Sequence, residues 1–173
     1  MSTWNCVTDL HCPPGGEPIL ERTLEVSGET VKCGECTLSK EAYSICKKMS
    51  RTSKLKNKAI IMKINLKEME IVLVDELDDV TPEDIAEEFE DFEPRYCMYM
   101  YEYKRDDGRV TYPLCFIWYN PSGCDVHLNM IYGQTTEALV DLLKASKTFN
   151  VQDADDLTSE WLRSEVQKGS GVK

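Results

Sequence analysis

The chain has 173 residues, 42% hydrophobic and 29% charged, with a formal net charge of −11 and eight cysteines. This length and balance suit one globular domain with its own core, and the negative charge argues against nucleic acid or an anionic membrane as partner. No apolar run reaches the ~20 residues that would cross a bilayer, and the opening MSTWNCVTDLHCPPGGEP lacks a signal peptide's basic and apolar regions, so the cytosol and reduced thiols are expected.

Residues 1–34 carry turn chemistry (CPPGGEP) and no sustained period, which predicts a disordered N-terminal extension ahead of a domain over 35–168, with 169–173 a flexible tail. From Leu38, apolar residues Ala42, Ile45, Cys46 and Met49 recur at helical spacing behind Ser39 as N-cap. Lys40, Lys47 and Lys48 fall off that stripe and give the helix a basic outer face. AIIMKIN and EIVLVDE read as a hairpin, and Thr81-Pro82-Glu83-Asp84 as a helix start with cap, N1 proline and acids at the positive dipole end. PRYCMYMYEYK and RVTYPLCFIWYN read as the two longest strands. Asp107-Gly108 between them is expected to supply the positive φ values of a tight turn.

A long helix is expected over 125–146, with a kink or close contact at Gly133. KTFNV reads as a last strand, and a final helix (SEWLRSEV) is opened by a staple between Leu157 and Leu162. The order α-β-β-α-β-β-α-β-α predicts an α+β domain: a mixed, mostly antiparallel sheet between helices, with one parallel crossover.

Charge is polarised along the chain. Ten basic and two acidic residues lie between Lys32 and Lys67, whereas Asp75 to Glu93 holds eleven acids and no base, a pattern of solvation or of an oriented protein partner. Catalytic and metal chemistry find little purchase. Asp75, Asp78 and Asp79 are followed by Val80 where a calcium loop needs glycine, and Asp106 and Asp107 sit on a tip with no second ligand pair. Cys33-Gly-Glu-Cys36 is a single C-x-x-C with Cys6, Cys12 and His11 upstream, which leaves a zinc or redox role open but short of a full ligand set. Cys97 and Cys115 alternate with apolar neighbours as small core residues. The two histidines, His11 and His127, join no nucleophile motif. A binding module without cofactor is therefore favoured over an enzyme.

Four stretches are more specific: NKAIIMKI (57–64), DDGRVTYPLCFIWYNPSGC (106–124), MIYGQTTEALV (130–140) and DDLTSEWLR (155–163). Together they resemble the glia maturation factor family, within the wider actin-depolymerising-factor homology (cofilin-like) group. The resemblance implies a single domain of that group and a monomeric, non-enzymatic regulator at the actin cytoskeleton of the cytoplasm, in the cell cortex or lamellipodium, with the nucleus as a second compartment. It also implies binding to the actin-related protein 2/3 complex, inhibition of branched nucleation and promotion of debranching. Cofilin-like binding of actin monomers or filaments is the alternative. Two surfaces are implied. One comprises Asn129, Met130, Tyr132, Gln134, Thr135, Thr136 and Glu137 of the long helix with Lys47, Lys48 and Arg51 alongside. The other is the hairpin tip Lys104, Arg105, Asp106, Asp107 and Arg109. The chain departs from the family in placing Asp125, Thr136, Glu137 and Ala138 where basic residues are typical, and KKMSRTSK where a more basic, Phe-containing stretch is usual. Fewer cations on a docking face imply weaker steering.

Overall fold

Between Lys58 and Tyr119 the strand side chains alternate between two apolar layers, and this alternation organises the molecule. The computed structural model describes residues 26–27, 30–52 and 56–169. In chain order these form β1 (Val26–Ser27), β2 (Thr30–Cys33), β3 (Cys36–Ser39), α1 (Lys40–Arg51), β4 (Lys58–Asn65), β5 (Glu70–Leu77), α2 (Pro82–Glu87) and β6 (Arg95–Met100). There follow β7 (Tyr103–Lys104), β8 (Val110–Thr111), β9 (Leu114–Tyr119), α3 (Val126–Leu143), β10 (Lys147–Val151) and α4 (Ser159–Gly169). One eight-stranded sheet has the order β1-β2-β3-β5-β4-β6-β9-β10, and β7 and β8 form a separate ribbon. Pairing is antiparallel except for β3 with β5 and β9 with β10.

On one face, Ile60, Met62, Tyr96, Met98 and Phe116 pack against Ala42, Cys46 and Met49 of α1 and Ile131, Tyr132 and Leu139 of α3. On the other, Ala59, Ile61, Cys97, Tyr99, Cys115 and Ile117 meet Ile85 of α2 and Leu162 and Val166 of α4. This is the expected α+β sandwich. Its ends are set locally. Ser39 Oγ accepts from Ala42 N at 3.3 Å at the start of α1. Thr81 and Asp84 form a reciprocal capping box on α2. Leu157 and Leu162 are both buried across the cap of α4, whose Thr158 Oγ1 accepts from Trp161 N at 3.2 Å.

The structure departs from the sequence reading in three places. The predicted extension does not end at residue 34: β2 pairs with β3 along its length, so strands from before the expected boundary join the sheet. Gly34, at φ +61°, makes the two-residue turn between them. Residues 1–25, which include Cys6, His11 and Cys12, and residues 170–173 of the expected tail lie outside the described residues.

Second, the two long strands are each broken. Tyr101-Glu102 and Tyr112-Pro113 separate the sheet strands β6 and β9 from the β7–β8 ribbon, because Pro113 has no N–H for the ladder. Its carbonyl still accepts from Tyr101 N at 3.1 Å.

Third, only Gly108 at the tip has a positive φ, +85°. Arg105 O accepts from Gly108 N at 3.0 Å and Arg105 N donates to Arg109 O at 2.8 Å, a three-residue turn closed by a glycine bulge rather than an Asp-Gly pair.

The acidic tract is not merely solvated. The nearly buried Lys58 ammonium pairs with Glu76 and, at 2.8 Å, with Asp78. Arg95, 4% exposed, pairs with Glu90 at 2.9 Å and Glu93 at 2.7 Å, so part of that charge anchors the loops on either side of α2.

Candidate partner-binding surfaces

Asp125 caps α3, accepting from His127 N at 2.9 Å and Leu128 N at 3.1 Å. Its negative charge faces the positive end of the helix dipole, which gives an acid at this position a structural use. At the other end Lys144 takes φ +54° as the left-handed cap. Between them the expected kink site, Gly133, is a close contact: a Cβ there would lie 3.4 Å from the Trp118 ring.

The residues expected on the docking helix divide into two sets. Met130 is 50% exposed and Gln134 and Glu137 are exposed, with Asn129 half-buried; Val126, 83% exposed and one turn before Met130, extends this strip. Spacing at i and i+4 could have placed Val126 on the strip. Tyr132 and Thr135 are buried in the core and offer no contact surface. Tyr132 Oη accepts from Ile64 N at 2.8 Å, its ring packs 4.8 Å from that of Tyr96, and its carbonyl accepts from Tyr96 Oη at 2.5 Å. Thr135 donates to Ile131 O at 2.8 Å and Thr136, half-buried, to Tyr132 O at 2.7 Å. α1 lies on the same side of the sheet and packs against α3. Lys48 and Arg51 are exposed there, and the Lys47 ammonium sits 5.1 Å above the Tyr43 ring, a cation–π contact that holds its charge near the helix.

At the second surface Lys104, Arg105, Asp106, Asp107 and Arg109 are all exposed. Asp107 accepts from Arg109 N at 2.9 Å, the ordinary work of an aspartate in a turn. Asp106 reaches α4, 3.7 Å from Arg163 and 3.3 Å from Gln167. Sequence reading missed Arg163 and Gln167, since nothing local links residue 106 to residues 57 and 61 positions later.

Among the described residues no cluster of three or more His, Cys, Asp or Glu side chains could hold a metal. Burial pushes the Cys46 and Cys115 thiols up to about 12 and the Cys97 thiol higher still, so these are protonated packing groups rather than nucleophiles.

A sheet between two helix pairs, with one exposed helix strip and a charged ribbon, is an architecture with known relatives. The family model described as cofilin/tropomyosin-type actin-binding protein matches residues 35–167. The chain belongs to that family. It is 37% identical to mouse glia maturation factor beta over 131 residues, covering 76% of this chain and 92% of that one. It is 30% identical to Drosophila melanogaster glia maturation factor, covering 76% and 96%. The solution structure of glia maturation factor from Caenorhabditis elegans superposes with a TM-score of 0.67 at 27% identity, over 75% of this chain and 94% of that chain. Within the cofilin-like family, then, the chain is of the glia maturation factor type. Strands β1 and β2 precede the matched segment. No helix among the described residues is long and apolar enough to cross a membrane.

Proposed function

We propose that the chain is a non-enzymatic, monomeric regulator of the actin cytoskeleton that binds the actin-related protein 2/3 complex, inhibits branched nucleation and promotes debranching in the cytoplasm. The observation that carries this reading is the exposed strip Val126, Met130, Gln134 and Glu137, set on a helix whose opposite side is locked into the core, with Lys48 and Arg51 exposed on the neighbouring helix. A rigid helix with apolar anchors and flanking charge suits insertion into an apolar groove of an actin-related subunit. Lysine and arginine at the rim steer the approach. The charged ribbon and the neighbouring Arg163 and Gln167 supply a second contact, to an adjacent subunit. Neither contact requires a covalent step.

The test is equilibrium binding of the full chain to purified actin-related protein 2/3 complex and, in parallel, to actin monomers at low and high salt. Preference for the complex, weakened by Lys47→Glu with Lys48→Glu and by salt, is the expected result. Preference for actin monomers would favour cofilin-like binding, and binding to neither would overturn the proposal.

A further inference from the structure

The C-x-x-C motif is the sequence feature that partner binding leaves unused. In the fold it closes a hairpin: Cys33 and Cys36 stand opposite one another in the β2–β3 register, joined by Gly34 and Glu35. Directly opposed residues of an antiparallel pair project to the same face. Both cysteines are buried in the layer beneath α3, with Leu38, Tyr96 and Leu139. Opposed residues have Cα atoms roughly 4.5–5.5 Å apart, inside the roughly 4.4–6.8 Å that a disulfide spans. The core thiols lack this arrangement: Cys97 stands opposite Ile117, Cys115 opposite Tyr99, and Cys46 contacts Met62 Sδ at 3.8 Å.

We propose that Cys33 and Cys36 form a reversible dithiol–disulfide site that reacts with low-molecular-weight disulfides, glutathione disulfide being the probe. One cysteine loses its proton and its thiolate attacks a glutathione sulfur, breaking the S–S bond of the probe and releasing one glutathione. The second cysteine, likewise deprotonated, then attacks the mixed disulfide and releases the other. A Cys33–Cys36 bond forms as the S–S bond of the probe is lost; the dithiol gives up two electrons and two protons, which the probe takes up to become two molecules of glutathione. Burial raises the Cys36 thiol, more than the contact with Thr135 lowers it, and Glu35 adds to the rise. The reaction therefore runs through opening of the hairpin. Its position allows this, because among the described residues β2 is paired on its outer side by the two-residue β1 at the sheet edge.

The site adjoins α3. Thr135 Oγ1 lies 3.6 Å from Cys36 Sγ, and a Cβ on Gly34 would stand 3.7 Å from both Gln134 O and Ala138 Cβ. Closing the bond draws the sulfurs to ~2.05 Å, which pulls Cys36 toward Cys33 and changes its contact with Thr135. The oxidation state of the hairpin is thereby transmitted to residues 131–138. Zinc fits the same motif less well, since two thiolates stand here with no third ligand among the described residues.

The experiment equilibrates the full chain in glutathione buffers of graded potential, then alkylates and maps disulfides by mass. The expected product is about 2 Da lighter before alkylation, the two hydrogens lost on disulfide formation, takes up two fewer alkyl groups, carries a Cys33–Cys36 crosslink and reverts with dithiothreitol. Its amide exchange should change over the hairpin and residues 131–138. Cys33→Ala should abolish the crosslink and leave only a glutathione adduct, with Cys36→Ala as a second variant of the same expectation. Cys97→Ala should leave the crosslink intact. Crosslinks from Cys33 or Cys36 to Cys6 or Cys12, glutathione adducts alone on the unaltered chain, or unchanged exchange over 131–138 would each overturn the proposal.

Discussion

The exposed strip of α3 and the β7–β8 ribbon both present side chains to solvent, but they are held in different ways. α3 is fixed from behind: Ile131, Tyr132, Thr135 and Leu139 are buried, and Tyr132 is bonded into both β4 and β6. The ribbon is two short strands whose tip touches the body through exposed contacts of Asp106 to Arg163 at 3.7 Å and Gln167 at 3.3 Å. A surface locked by a core keeps its geometry and suits contacts that set how long a partner stays. A surface held by exposed charge suits contacts that set how fast the partner arrives and which way it faces.

The largest effect tests the lock. Tyr132→Ala removes a buried ring and the acceptor of Ile64 N, and should cost about 3–5 kcal/mol in urea unfolding. A loss below about 1 kcal/mol would mean that α3 is not anchored as described.

Met130→Ala should separate the strip from the core behind it. Stability is expected to change by less than about 0.5 kcal/mol, while affinity for the actin-related protein 2/3 complex falls about tenfold, mainly through faster dissociation. Equal loss of both would make Met130 a packing residue. For the ribbon the pattern should invert. Arg105→Glu with Arg109→Glu should slow association several-fold at low salt and little at high salt, and a salt-independent change in dissociation, read by stopped flow, would erase the contrast.

Two smaller effects concern stability on the side of the sheet that carries the ribbon. Burial works to raise the Glu83 carboxyl, but hydrogen bonds from Ser159 N at 2.6 Å and Ser159 Oγ at 2.7 Å outweigh it, and its net position is below the ordinary 4.5. A carboxyl depressed by folding contributes stability above its unfolded pKa, and that contribution is lost as pH falls through the folded value. Glu83→Gln should therefore flatten the acid limb of the unfolding midpoint below pH about 4.5 and lower stability slightly at neutral pH; an unchanged limb would show that the bond between α2 and α4 does not persist in solution. Asp106→Asn should be smallest, under about 0.5 kcal/mol, with amide exchange at the tip as the more sensitive readout.

Much of this fold was legible because its signals are local. Ser39, Thr81 with Asp84, and Leu157 with Leu162 announce helix starts through residues three to five positions apart; the first two cap as read, and both leucines are buried in one layer. The hairpin of β2 and β3 is also written locally, as VKC-GE-CTL with glycine at the first turn position, but C-x-x-C is equally a metal or redox signature, so the pattern alone does not single out the turn. The candidate site was legible only in part. α3 carries apolar or ring-bearing residues on more than one side, so periodicity alone did not separate buried Tyr132 and Thr135 from exposed Val126 and Met130.

Local pattern specified the helices, the β4–β5 and β6–β9 hairpins, the chain's family and the charged character of the tip, because each depends on neighbours in the chain or on motif identity. Packing settled which side of α3 faces water, that Asp106 meets Arg163, that Lys58 neutralises Asp78 beyond β5, and that Cys36 lies against Thr135. These are contacts across tens of residues, set by how sheet and helices fill space together rather than by any local preference.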